Sequence, residues 1–356
     1  MQSQSYQQIK KRLARAAKLN RRPLLGHFEL TARCNLDCKM CYVHTQDHAA
    51  ALRRELTTEH WKRIFDEAYE CDMLYATLSG GECLLRKDFK ELYLHLWNKR
   101  VMITVMSNGT LINDDYVKFF KEYPPEMVQI SVYGSCEENY LNLTGRMGFE
   151  KTINAVSALE NAGIDVRVVV TPSKFMLDDY IDILQFCKSK GFRMTLPDIM
   201  LMPNRENSEK NDYLLSDEEA FALTKQRAEL FEELIPLECT PEPFGGMSEG
   251  MRSGLTCNAG NCLAAITWDG KMYPCLNILV GDGASLLDMS YAQAWEETKK
   301  AADSVVQGIE CVGCAYEKIC PECPSFRLND LHNGHCNPAV CKMTRRLVAA
   351  GIKKLD

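Results

Sequence analysis

The chain has 356 residues, enough for one large domain or two ordinary ones around a sizeable buried core. Hydrophobic residues make up 46% and charged residues 25%, as in a globular protein, and the net charge of −6 argues against a chain-wide nucleic-acid surface. No apolar run reaches the length of a membrane span, and the polar, basic N-terminus lacks the apolar core of a signal peptide. The expectation is a cytoplasmic protein with neither a nucleic acid nor a membrane as partner.

Residues 1–25 open the chain with seven basic side chains and no acidic one before residue 23. Ile9, Leu13, Ala16 and Ala17 recur at helical spacing, so a short basic amphipathic helix is predicted. It reads first as a solvated helix packed on a domain edge. A sharper reading makes Lys10, Lys11, Arg12 and Arg15 a docking site for an acidic partner segment.

From residue 26 to 235 the chain alternates strand and helix. Strands are predicted over 26–31, 74–81, 101–110, 127–134, 164–172 and 192–200. Helices are predicted over 57–73, 88–100, 114–123, 149–163, 177–191 and 216–234, with Thr57 or Thr58 as a cap for the first and Gly163 and Gly191 closing two others. Six strand-then-helix units imply an α/β fold with a parallel sheet, and six rather than eight suggests a partial (β/α)6 barrel. Chemistry in such folds sits at the carboxyl ends of the strands. Cys34, Gly80-Gly81-Glu82, Ser107-Asn108 and Tyr133-Gly134 all fall there. Residues 236–256 form a glycine-rich linker or loop, 257–345 read as a small metal-stapled domain, and 346–356 end a closing helix.

Seventeen cysteines are unusual for an intracellular chain, where clustered thiols point to metal rather than disulfides. Cys34, Cys38 and Cys41 stand in a C-x3-C-x2-C spacing, and nine more cysteines lie between 257 and 341. Cys71, Cys83, Cys136, Cys187 and Cys239 are scattered and read as small buried hydrophobes. His27, His60, His95, His332 and His335 carry no partner spacing and read as structural or solvated. Zinc is one reading of the first triad, with His44 or His48 as fourth ligand. An iron–sulfur cluster is the other, and three thiolates on a cubane leave one iron open for a substrate.

With Tyr42 after the third cysteine and Gly80-Gly81-Glu82 ending the second strand, the sequence resembles the radical SAM superfamily. Its hallmark places an aromatic residue before the third cysteine, where this chain has Met40. The resemblance implies a [4Fe–4S] cluster on Cys34, Cys38 and Cys41 whose open iron chelates S-adenosylmethionine. It implies that Gly80, Gly81 and Glu82 fix the methionine amino group, Tyr42 lies near the adenine, Ser107, Asn108 and Ser131 line the ribose side, and Arg146 reaches the cofactor carboxylate. Cys83 stands where family members often carry proline.

The C-terminal cysteines resemble the SPASM extension, which implies two auxiliary [4Fe–4S] clusters, three clusters in all. Cys257, Cys262, Cys275 and Cys323 would hold the first, and Cys311, Cys314, Cys320 and Cys341 the second, with Cys336 equally available for the last place. Two zinc-ribbon-like sites are the competing reading of the C-x2-C pairs. The resemblance implies reductive cleavage of S-adenosylmethionine to a 5′-deoxyadenosyl radical, a low-potential flavodoxin- or ferredoxin-type electron donor, and a peptide or protein substrate. A thioether or carbon–carbon crosslink in a ribosomally made precursor is the leading expectation. With only about 25 residues before the first strand, leader recognition falls to the basic helix, the loop 241–254 or a separate leader-binding protein. An anaerobic sulfatase-maturing enzyme and a porphyrin-modifying enzyme of haem biosynthesis are alternatives. The former carries an acidic residue where this chain has Leu276. A polyferredoxin-like electron carrier would explain the cysteines but not the Gly80-Gly81-Glu82 turn.

Overall fold

The first predicted strand forms β1 (Leu25–Glu29), whose alternation sends Phe28 to one face and His27 to the other. Phe28 is fully buried against Trp61 and Phe65, edge-on to both rings. Those two rings belong to α3 (Thr58–Glu70), which follows α2 (His48–Arg54). Thr57 caps α3, its hydroxyl accepting from the His60 N–H, as the sequence predicts. A computed structural model describes residues 4–43, 45, 47–197, 212–231, 254–255, 257–305, 314–316, 319–320, 323–325 and 338–352.

The chain divides into two compact units. The first comprises residues 1–33, 47–105 and 253–306. In it β1 pairs in parallel with β2 (Tyr75–Ser79), and β2 pairs in parallel with β3 (Met102–Ser107). α1 (Gln4–Leu19) precedes β1, and α4 (Phe89–Asn98) connects β2 to β3. The sequence predicted this part well. It did not anticipate that residues beyond the linker extend the same sheet: β7 (Leu263–Ile266) pairs in parallel with the other side of β1. β8 (Lys271–Tyr273) and β9 (Ala284–Ser285) then continue antiparallel, before α10 (Tyr291–Ser304).

The second unit comprises residues 34–46, 106–252 and 307–356. Here β4 (Met127–Ser131), β5 (Val166–Val169) and β6 (Met194–Thr195) pair in parallel. The last is far shorter than the predicted 192–200, and residues 198–200 lie outside the described ones. α5 (Asp114–Glu122) precedes β4, and α6 (Glu137–Thr144) and α7 (Phe149–Asn161) lead from β4 to β5. α8 (Tyr180–Ser189), α9 (Asp217–Phe231) and α11 (Pro338–Ala349) complete it. α9 and α11 share an apolar cluster of Ala220, Met343 and Leu347. Val128, Ile130, Val166 and Val168 are buried on one face of the strands, while Gln129, Ser131, Arg167 and Val169 are half-buried on the other. A one-residue change of register would exchange these two faces.

Candidate cofactor site

In the first unit the Gly80-Gly81-Glu82 turn continues the β1–β2 register beyond its last paired residues. Leu30 N–H donates to the Ser79 carbonyl at 2.8 Å, Gly81 N–H to Thr31 at 2.7 Å, and Glu82 N–H to Arg33 at 2.8 Å. The approach is so close that a Cβ on Gly81 would fall on the carbonyl of Arg33, and one on Gly80 on that of Thr31. Gly80 also has φ +150°, a conformation side chains resist. Glu82 is fully buried, and one carboxylate oxygen accepts from the Leu84 N–H at 3.1 Å. Cys83, where a proline is common in the family, is fully buried and directs its thiol at that same oxygen.

In the second unit the loop bearing Cys34, Cys38 and Cys41 hangs on backbone hydrogen bonds to the end of α6. Asp37 N–H donates to the Thr144 carbonyl at 2.8 Å, and Lys39 N–H to Leu143 at 3.0 Å. Gly145, left-handed at φ +68°, ends α6 with only a Cβ's breadth between it and Asp37. Asn108 supports the start of the loop. Its amide donates to the Asn35 side chain at 2.9 Å and points at the Cys34 sulfur at 3.8 Å, while its oxygen accepts from Thr110. The Ser107 hydroxyl accepts from the Gly109 N–H at 2.9 Å, so it shapes the turn after β3. Ser131 hydrogen-bonds the Tyr133 hydroxyl. Tyr42 is half-buried, and Arg146 is exposed immediately after Gly145.

Burial pushes the Cys38 thiol well above its ordinary value, and the neighbouring Cys41, Cys34 and Asp37 charges push it further. Three such thiolates require a cation among them, and metal coordination deprotonates thiols outright. The donor set therefore fits an iron–sulfur cluster. No three His, Cys, Asp or Glu side chains among the described residues are drawn together around one metal ion. A cubane does not require that, because each thiolate takes a separate iron. His44 lies outside the described residues, and His48 begins α2.

The auxiliary cysteines are placed more unevenly. In the first unit Cys257 and Cys275 pack against Leu255, Ala259, Ile278, Ala302 and Val305. Cys262 is fully buried with Ala17, Leu24 and Tyr75, and burial raises its thiol to about 11. The Asn261 amide closes the turn that carries it, donating to the carbonyls of Leu255 and Cys257. In the second unit Cys314, Cys320, Cys323 and Cys341 are all half-buried. Cys341 sits on α11, and Thr344, one turn on, directs its hydroxyl at the Cys320 sulfur at 3.8 Å. Cys311 and Cys336 lie outside the described residues.

Of the scattered cysteines, Cys83 and Cys187 are buried as expected, and burial raises Cys187 to about 12. Cys71 is half-buried and Cys136 is exposed, contrary to that expectation, since each ends or begins a helix at the surface. Cys239 lies outside the described residues. His27 meets the Ser79 hydroxyl at 3.0 Å, and His95 meets Asp66 at 2.6 Å beside Lys99. The sequence showed neither partner, because both arise between elements far apart in the chain.

Residues 28–187 match the model of the radical SAM superfamily, so the chain carries a radical SAM domain. The class brings S-adenosylmethionine and an iron–sulfur cluster as cofactors. Its homologues include peptide maturases of the SPASM branch. The chain is 30% identical to the sporulation killing factor maturation protein SkfB of Bacillus subtilis over 48% of this chain and 40% of that protein. It is 24% identical to the AdoMet-dependent heme synthase of Methanosarcina barkeri over 85% of this chain and 91% of that one. Its α/β fold matches Streptococcus suis SuiB bound to S-adenosylmethionine with a TM-score of 0.69, at 17% identity, over 94% of this chain and 81% of that structure. No helix among the described residues is long and apolar enough to cross a membrane.

Proposed function

We propose that this protein is a radical SAM/SPASM maturase that crosslinks a peptide, forming a thioether or carbon–carbon bond in a ribosomally made precursor. The observation that carries this reading is the 30% identity to the maturation protein SkfB over 170 residues. Cys34, Cys38 and Cys41 hold the catalytic cluster. When bound, that cluster supplies the electron that cleaves S-adenosylmethionine to methionine and a 5′-deoxyadenosyl radical. Glu82 and the carbonyls around Gly80 and Gly81 accept hydrogen bonds from the methionine ammonium. The exposed Arg146 guanidinium pairs with its carboxylate, and Tyr42 and the Ser107–Asn108 turn flank the nucleoside. Two auxiliary clusters fall to Cys257, Cys262, Cys275 and Cys323, and to Cys311, Cys314, Cys320 and either Cys341 or Cys336. A flavodoxin- or ferredoxin-type donor supplies the electrons.

The N-terminal helix is the proposed leader-docking surface. Ile9, Leu13 and Leu19 on α1 are exposed, Lys11, Arg12 and Arg15 are exposed beside them, and the helix carries no acid. A surface groove of about 560 Å³ runs along it, lined by Leu13, Ala16, Asn20, Tyr69 and Leu74. An acidic, amphipathic leader complements that surface. Reversing Lys10, Lys11, Arg12 and Arg15 to Glu is expected to weaken precursor binding in an anisotropy titration, and unchanged affinity would remove α1 from the role.

A second reading, a porphyrin-modifying enzyme of haem biosynthesis, is favoured by the heme synthase match over 91% of that protein's length. One experiment separates the two. The reconstituted protein is given dithionite, S-adenosylmethionine and either short cysteine-rich peptides encoded beside its gene or an iron-porphyrin. A peptide that loses two hydrogens by mass spectrometry as 5′-deoxyadenosine forms supports the maturase. Cofactor cleavage coupled only to the porphyrin transfers the assignment to the second reading.

A further inference from the structure

A buried ion network lies beneath the glycine turn, and none of the cofactor contacts proposed above uses it. Glu55, at the end of α2, has a side chain only 5% exposed. Both its carboxylate oxygens are gripped by Arg33, at 2.9 Å from Nε and 3.0 Å from Nη2, and one also accepts from the Thr31 hydroxyl. Arg86, 6% exposed, lies within 3.8 Å of the same carboxylate and donates from Nη1 to the carbonyls of Leu30 and Leu56 at 3.1 Å each. Asp88 holds the other edge of Arg86, at 2.9 and 2.7 Å.

Burying Glu55 and Arg86 and half-burying Arg33 and Asp88 is a poor route to stability, because apolar packing of the same volume does as well or better. What ions add is direction. A planar guanidinium accepts one geometry, and a carboxylate gripped by it cannot rotate. Here the gripped residues are Thr31 and Arg33, whose carbonyls receive the N–H groups of Gly81 and Glu82. Arg33 is also the residue before Cys34. One carboxylate thus fixes the short backbone that receives the N–H groups of the glycine turn and that runs on into Cys34.

We propose that Glu55 is a positioning residue for S-adenosylmethionine binding, acting through Thr31 and Arg33 on the Gly80-Gly81-Glu82 turn and on the root of the Cys34 loop. This rests on the reading of the turn and the triad as the cofactor site. Glu55→Gln keeps the shape and removes the charge. Thr31→Val, nearly isosteric, removes one hydroxyl from the same carboxylate and serves if Glu55→Gln does not fold. Outer-shell substitutions at ligand sites typically cost about 10- to 100-fold. In the reconstituted protein, Glu55→Gln is therefore expected to weaken S-adenosylmethionine about 10-fold by calorimetric titration. The electron paramagnetic resonance spectrum of the reduced protein should respond less to added cofactor, and hydrogen exchange should accelerate at the amides of residues 80–82. Glu91→Gln, at the exposed Lys62–Glu91 pair, should change none of these.

A lowered Tm with unchanged cofactor affinity, unchanged spectrum and unchanged exchange at 80–82 would reduce the network to a structural one and overturn the proposal. If the wild type itself neither binds nor cleaves S-adenosylmethionine, it is the cofactor-site reading that fails, whatever the variants do.

Discussion

The glycine turn and the cysteine loop are held by different physics. The turn is fixed by steric necessity and buried charge: two positions admit no Cβ, and Glu55, Arg33, Arg86 and Asp88 lock the backbone against it. The loop is fixed by amide hydrogen bonds to the end of α6 and by the neutral side chains Asn35, Asn108 and Thr110, and its three thiols remain half-buried. The first arrangement sets a surface before any ligand arrives. The second leaves three half-buried sulfurs near enough that Cys41 and Cys34 raise the Cys38 thiol beyond the effect of burial, a repulsion that a metal cluster would relieve. Under the proposed function, preorganisation belongs to the turn and chemistry to the loop.

Substitutions can break this contrast from either side. The largest effect on function is expected from replacing Cys34, Cys38 and Cys41 with Ala together. Iron should fall by about four atoms per chain and formation of 5′-deoxyadenosine should vanish, while the urea midpoint of the metal-free protein moves little. A large loss of metal-free stability would show that the thiols are packing groups. Arg86→Met tests the other side. It leaves the half-buried Asp88 without its cation and takes a second one from Glu55, which keeps Arg33, so a loss of about 3 kcal/mol is expected in urea unfolding. A smaller response belongs to Asn108→Ala, which removes neutral hydrogen bonds to Asn35 and Thr110. It should cost about 1–2 kcal/mol and lower iron retention after desalting.

The smallest effect is a pH dependence. Burial alone would raise the Asp88 carboxyl, but the hydrogen bonds from Arg86 and Thr58 win and hold it below the usual value of 3.8. Its folded state is therefore stabilised by ionisation. That contribution is complete above the unfolded carboxylate range and disappears as pH falls through the depressed folded value. Urea midpoints of the metal-free protein should be insensitive to this group near neutrality and decline in acid below about pH 4, and Asp88→Asn should flatten that decline. An identical acid limb in the variant would assign it to other carboxylates.

Much of this was legible in the sequence because the signals were local. Alternating strand and helix patterns located β1 to β5 within a few residues, and the C-x3-C-x2-C spacing and the double glycine marked the ends of two strands. α2 and α6 were missed, since each is short and lies inside a connection expected to be irregular. β7 to β9 were missed because runs of two to four residues in a cysteine-rich stretch carry too little periodicity to separate from loop. Nothing in the spacing of Arg33, Glu55, Arg86 and Asp88 revealed a network, because charged residues scattered over 56 positions normally read as solvated surface.

By itself, then, the sequence determined the class of chemistry. Thiolates within one turn-sized loop and glycines beside a carboxylate lie in local stretches of the chain; their spacing left zinc and an iron–sulfur cluster both open, and the resemblance to the radical SAM superfamily carried the choice. Only the tertiary structure decided how that chemistry is held. The carboxylate of Glu55 meets Arg33 and Arg86 only when a helix end, a strand end and a turn converge, and β7 pairs with β1 across more than two hundred intervening positions of sequence. Such pairings are set by burial and by hydrogen bonds that must be satisfied out of water, and they leave no repeat in the sequence to read.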